Sequence, residues 1–192
     1  MDICVFGAAS NVIDDKYIST VENLCTHLAK KGHNLVFGAG RNGLMGAAAR
    51  GFKNGGGKVT GVVPTFFSEC NIEELFEECD ELIYTDTMRE RKAKMEELSQ
   101  AFIIVPGGVG TFEEMFEVIT LKQLGRHTKP IAIYNINSYY TMLEEFLDNA
   151  VREGFIREKC HSIYRVFDSS DDIDSYLTSQ QENLDLHDLK NG

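Results

Sequence analysis

The chain has 192 residues, 43% of them hydrophobic, enough to bury a core, and no stretch reaches the roughly 18 apolar residues of a membrane span. A net charge of −11, from 19 basic and 30 acidic residues, argues against a nucleic-acid binder, whose phosphate contacts need clustered Lys and Arg. Five widely spaced cysteines without a C-x-x-C pair (Cys4, Cys25, Cys70, Cys79, Cys160) argue against a disulfide framework or a zinc ribbon, and the histidines lack metal-ligand spacing, so no metal is expected.

In chain order, strand-like runs cover Asp2–Phe6, Asn34–Phe37, Lys58–Val63, Glu81–Tyr84, Ala101–Val105, Pro130–Tyr134 and Ser162–Phe167. Helix-like runs cover Lys16–Lys31, Leu44–Asn54, Thr87–Gln100, Phe112–Leu124, Ser138–Gly154 and Ser170–Leu177. The central strands are apolar throughout, as parallel strands covered on both faces are. Strand–helix alternation then predicts a doubly wound, Rossmann-like α/β sheet. One domain is expected over residues 1–180, with a flexible tail over 181–192. The N-terminus begins on a strand and lacks a signal-peptide pattern, so a cytoplasmic protein is expected. The acidic runs Glu69–Glu81 and Asp168–Asp188 read as solvated faces or tails.

Ligands of such sheets bind at the carboxyl ends of the strands, near the reversal of strand order. Three small-residue loops fall at those ends: Gly7-Ala8-Ala9-Ser10, Gly38-Ala39-Gly40-Arg41-Asn42-Gly43 and Pro106-Gly107-Gly108-Val109-Gly110-Thr111. The second has the G-x-G-x-x-G spacing of a dinucleotide site. It follows the second strand, however, and lacks the acidic residue about 20 positions on that would hold a ribose hydroxyl. It reads as a wall of a mononucleotide site. The third has three glycines in four positions, more than a strand-to-helix turn requires, and no Walker lysine follows. It reads as an anion cradle at a helix N-terminus.

Thr111-x-x-Glu114 has the spacing of a capping box, which would turn Glu114 back onto the backbone of Thr111. The competing reading makes Glu114 a catalytic carboxylate, with Glu117 one turn on and sharing its face. In Thr87-Met88-Arg89-Glu90-Arg91-Lys92, with Asp86 or Thr87 as cap, basic residues oppose the helix dipole. Either they pair with the preceding acidic run, or Arg91 holds an anionic ligand, with Arg89 and Lys92 as an alternative pair.

Together these residues resemble the LONELY GUY family, phosphoribohydrolases of cytokinin riboside monophosphates often labelled lysine decarboxylases. The likeness rests on Pro106–Glu114, on Arg91-Lys92 upstream, on Gly43-Leu44-Met45-Gly46, and on the stretch from Glu117 to Pro130. It implies a Rossmann-like homodimer that hydrolyses a nucleoside 5′-monophosphate to free base and ribose 5-phosphate, with no cofactor. It places Arg91 and Glu114 on catalytic positions. Gly7, Ser10, Gly40, Gly43, Met88, Arg89, Lys92, Pro106, Gly107, Gly108, Val109, Gly110, Thr111 and Glu117 fall on the substrate side. The chain departs from the family at Ala8-Ala9, Ala39 and Leu121, positions that bear on ribose or base contacts. A decarboxylase would need a lysine Schiff base to pyridoxal phosphate, and Lys92 and Lys94 sit in a strongly charged helix start read as exposed. A nucleotide-binding module without turnover is the alternative of another class.

Overall fold

The computed structural model describes residues 1–69 and 74–179, apart from the side chains at 68, 69, 160 and 161. The tail expected over 181–192 lies outside the described residues, as does part of each acidic run. Among the described residues, seven parallel strands form one sheet: β1 (Asp2–Phe6), β2 (Asn34–Phe37), β3 (Val59–Pro64), β4 (Glu81–Thr85), β5 (Ala101–Ile104), β6 (Ile131–Tyr134) and β7 (Arg165–Phe167). Their order, β4-β3-β2-β1-β5-β6-β7, reverses between β1 and β5. The doubly wound α/β sheet expected from the apolar runs is therefore present.

Side chains alternate across the sheet, and the two faces make two cores. Ile3, Val5, Leu35 and Phe37 point toward α1 (Asp15–Lys30), α2 (Gly43–Gly55) and α7 (Ile173–Thr178), where they meet Leu24, Leu28, Phe52 and Leu177. Cys4, Phe6, Val36, Phe102 and Ile104 point the other way. They meet Met95 of α4 (Met88–Leu98), Met115 and Val118 of α5 (Val109–Gln123), and Tyr140 at the entry to α6 (Thr141–Arg152). Every residue of β3 and β5 is buried, as the unbroken apolar run of β5 and the nearly polar-free β3, with Thr60 its one polar residue, require.

Several boundaries differ from the sequence reading. A five-residue helix, α3 (Thr65–Glu69), follows β3 where no element is predicted. The last strand is shorter than the predicted Ser162–Phe167, because 158–162 form a 3₁₀ turn. The run predicted as one helix from Ser138 begins with a 3₁₀ turn over Ile136–Ser138, and α6 proper starts at Thr141. The difference that bears on function is at α5, which starts at Val109 rather than Phe112.

Candidate active site

The reversal of strand order leaves a gap above the carboxyl ends of β1 and β5. An open cleft of about 730 Å³ lies there, bounded by the loop after β1 (Gly7 to Asn11), by Asn42 and Met45, by Phe67 and Glu74, and by Arg91, Gly108, Gly110, Thr111 and Glu114.

One wall is the start of α5. Its N-cap is Gly108, which has no side chain to accept a bond from the first turn. Among the described residues the N–H groups of Gly108, Val109, Gly110 and Thr111 have no hydrogen-bond acceptor. A Cβ built on Gly108 or Gly110 would meet nothing within 4 Å, so both face open space. Bare helix N–H groups beside an unobstructed backbone are the features of an anion seat. Of the two readings of Thr111–Glu114, the capping box does not form. With α5 starting at Val109, Thr111 lies buried inside the first turn and Glu114 lies a turn further along, facing the cleft. The capping box occurs instead on α4: Thr87 Oγ1 accepts from Glu90 N at 3.2 Å, and Glu90 Oε2 accepts from Thr87 N at 3.2 Å. Of the two cap candidates there, Thr87 is the one used.

Arg91 enters from the opposite side. That box spends the first turn of α4, and Arg91 follows it, aimed under the sheet edge rather than out to solvent. It is 5% exposed. Its Nε donates to Val62 O at 3.1 Å and its Nη2 to Gly38 O at 3.3 Å, and the guanidinium lies 5.6 Å from the Phe67 ring centroid. Gly38 is what admits it, since a Cβ there would sit 1.7 Å from Nη2. Nη1 points at Glu114 Oε1, 3.7 Å away. Among the described residues, Arg91 therefore pairs with the cleft carboxylate and with no carboxylate of the preceding acidic run. Burial pushes the Glu114 carboxyl up to about 7, against the opposing pull of Arg91. A carboxylate poised near neutrality beside a fixed guanidinium suits proton transfer or the stabilisation of a transient cation.

Of the residues singled out in the sequence, Gly7, Ser10, Gly108, Gly110, Thr111, Arg91 and Glu114 converge on the cleft. Pro106 and Gly107 lie behind it, lining an apolar hollow of about 290 Å³ with Tyr17, Leu44 and Tyr139. Gly40 and Gly43 are buried beneath it. Gly40 bridges to Leu75, and Gly43, at φ +58°, tucks α2 under the first loop, where Leu44 N donates to Ala8 O at 2.8 Å. Val109, Met88 and Arg89 are exposed and do not line the cleft. Lys92 and Glu117 also stand outside it: Lys92 Nζ bridges Glu113 and Glu117, the latter at 2.7 Å, tying α4 to α5. The Lys92 side chain is thus paired and largely covered, not exposed as the charge pattern predicts. Sequence reasoning did not single out Asn11, Asn42, Met45, Phe67 and Glu74; Asn11 follows the first predicted loop, Asn42 lies within the second, and Phe67 sits on the unpredicted α3.

Residues 45–177 match the family model described as possible lysine decarboxylase. The chain is 37% identical over 186 residues to cytokinin riboside 5′-monophosphate phosphoribohydrolase LOG2 of Arabidopsis thaliana, covering 97% of this chain and 85% of the relative. It is 42% identical to LOG1 of the same plant over 154 residues, covering 80% and 71%. Among solved structures, the molybdenum cofactor carrier protein of Chlamydomonas reinhardtii superposes with a TM-score of 0.66 at 21% identity, covering 88% of this chain and 90% of that one, a likeness of fold. The glycine cradle, the buried Arg91–Glu114 pair and these matches agree: the chain belongs to the possible lysine decarboxylase family, among relatives named LOG phosphoribohydrolases.

Proposed function

We propose that this protein hydrolyses the N-glycosidic bond of a purine nucleoside 5′-monophosphate, AMP or an N6-modified adenine nucleotide, to free base and ribose 5-phosphate. The observation that carries the reading is the Glu114 carboxylate, held beside Arg91 one turn beyond the uncapped start of α5. The phosphate sits on the N–H groups of Gly108 to Thr111, against Gly7 and Ser10 of the facing loop. Anchored there, the sugar extends along α5 toward Glu114, and binding energy far from the reacting carbon orients it. As the bond from C1′ to the base breaks, positive charge spreads over the ribose. The Glu114 carboxylate stabilises that charge and accepts a proton from the water that attacks C1′; the base leaves with the bonding pair and takes up a proton. Arg91, with Nε and Nη2 committed to backbone carbonyls, keeps Nη1 for the carboxylate and the substrate. Water is the only co-reactant, so the chemistry calls for no cofactor. The same reading takes residues 1–180 as one catalytic domain, working as a cytoplasmic homodimer.

The test is chromatography of AMP incubated with wild type and with Glu114→Gln. Adenine is expected from wild type, with turnover in the mutant lower by about 10²-fold or more, the scale of a lost general acid–base group. Binding of AMP without base release, across a panel of nucleoside monophosphates, would replace the hydrolase with a nucleotide-binding module.

A further inference from the structure

The glycine loop is held from behind. Three successive carbonyls follow β5, and each has its own partner. Val105 O and Gly107 O face β6, where Tyr140 Oη donates to the first at 2.9 Å and Tyr139 Oη to the second at 2.5 Å. Pro106 O faces β1 and accepts from Ala8 N at 3.1 Å. A trans peptide unit points its C=O and N–H in opposite directions. Fixing Gly107 O toward β6 therefore sends Gly108 N–H toward β1, into the cleft.

The chain accepts strain to place those two hydroxyls. Asn137 and Ser138 both have left-handed backbone, at φ +53° and +59°, uncommon for residues other than glycine and costing on the order of 1 kcal/mol each. The kink turns Tyr139 and Tyr140 back to the sheet edge. Asn135 fixes it, its Oδ1 accepting from Tyr140 N at 2.6 Å and its Nδ2 donating to Asp168 Oδ1 at 3.0 Å. Tyr140 is fully buried, and its ring meets Phe112 of α5 edge-on. Tyr139 is 42% exposed, so its hydroxyl adds little to the core.

We infer that Tyr139 is a positioning residue for the phosphate seat: through the Gly107 carbonyl it aims the Gly108 N–H at the ligand. The inference rests on the phosphate seat proposed above.

Tyr139→Phe removes that hydroxyl alone. Tyr176→Phe is the control, since it loses a hydroxyl-to-carbonyl bond of the same kind, 3.3 Å to Ile131 O, at the start of β6, the end of that strand away from the cleft. Amide NMR spectra of ligand-free wild type and both variants, followed by titration with inorganic phosphate, provide the readout. The Gly108 signal is expected to move in Tyr139→Phe and to stay in Tyr176→Phe. Phosphate is expected to bind about tenfold more weakly in Tyr139→Phe alone, the scale of one misaligned hydrogen bond to a charged group, with equal melting temperatures throughout. An unmoved Gly108 signal, an unchanged phosphate affinity, or a wild type that binds no phosphate overturns the inference. None of these readouts needs turnover, so failure of the hydrolase reading shows separately, as the absence of adenine release from AMP.

Discussion

Glu114 and Arg91 form a pair whose value lies in what each is denied. Glu114 is removed from water, which favours its neutral form, and Arg91 pulls against that at 3.7 Å without winning. Its carboxyl is pushed up to about 7, so near neutrality both protonation states are populated. The two chemical roles open to such a group have opposite signatures. An acid that protonates the departing base is needed neutral, and the rate would fall as pH rises through about 7. A carboxylate that stabilises the sugar cation and takes a proton from water is needed ionised. The proposed mechanism uses the carboxylate, so turnover at saturating AMP should rise about tenfold per pH unit below 7 and level off above it. A bound phosphate dianion nearby moves the bend upward, never below the carboxyl's position in the free protein, because a second negative charge further disfavours ionisation. A profile that falls above pH 7 would assign Glu114 the acid's role, and a flat profile from pH 5 to 9 would remove it from the chemistry.

At the scale of elements, the site depends on how loops seat on helix starts, and this is where the sequence is least legible. Strands β1 and β2 occupy their predicted residues because continuous apolar character has one outcome in a covered sheet. The two Thr-x-x-Glu segments look alike in sequence and do different things. At Thr87 the pattern is a working capping box; at Thr111 it is not, because Gly107 and Gly108 let the chain begin its helix two residues earlier than Thr111. A glycine N-cap leaves no side-chain signature to read. The G-x-G-x-x-G spacing is similarly ambiguous, and the structure gives its last glycine a packing role. Gly43 has φ +58°, and a Cβ on it would lie 2.5 Å from Ala8 O. Gly56 is the natural comparison, with φ +85° and nothing within 4 Å of its Cβ position. Gly56→Ala should cost only the backbone penalty, about 1 kcal/mol, whereas Gly43→Ala should cost about 2 kcal/mol or more and displace the Gly7–Ser10 wall. Urea unfolding measures the first difference. Base release, assayed where both variants are folded, measures the second and should fall in Gly43→Ala alone; equal effects would show that the first loop does not rest on α2.

At the scale of the whole molecule, charge and apolar surface pull against each other. Each chain carries −11, which opposes self-association. Yet α4, α5 and the residue capping α5 expose Met88, Val109, Phe116 and Leu124, with Val109, 85% exposed, between the cleft-lining Gly108 and Gly110. A second exposed group, Met142 and Phe146, lies on α6. The proposed homodimer joins the α4–α5 faces, because that patch adjoins the cleft and its covering would also dry the site, strengthening the Arg91–Glu114 electrostatics. Two acidic bodies joined by apolar contact associate more tightly as salt screens their repulsion, over a Debye length of about 10 Å at 0.1 M. Sedimentation should therefore give twice the 21.5 kDa chain mass for wild type, with tighter association in high salt than in low. Phe116→Glu places a charge in the apolar patch and should return the mass to that of one chain, while Met142→Glu leaves the dimer intact. If Met142→Glu instead dissociates it, the α6 face is the interface and the cleft stays open in the assembly.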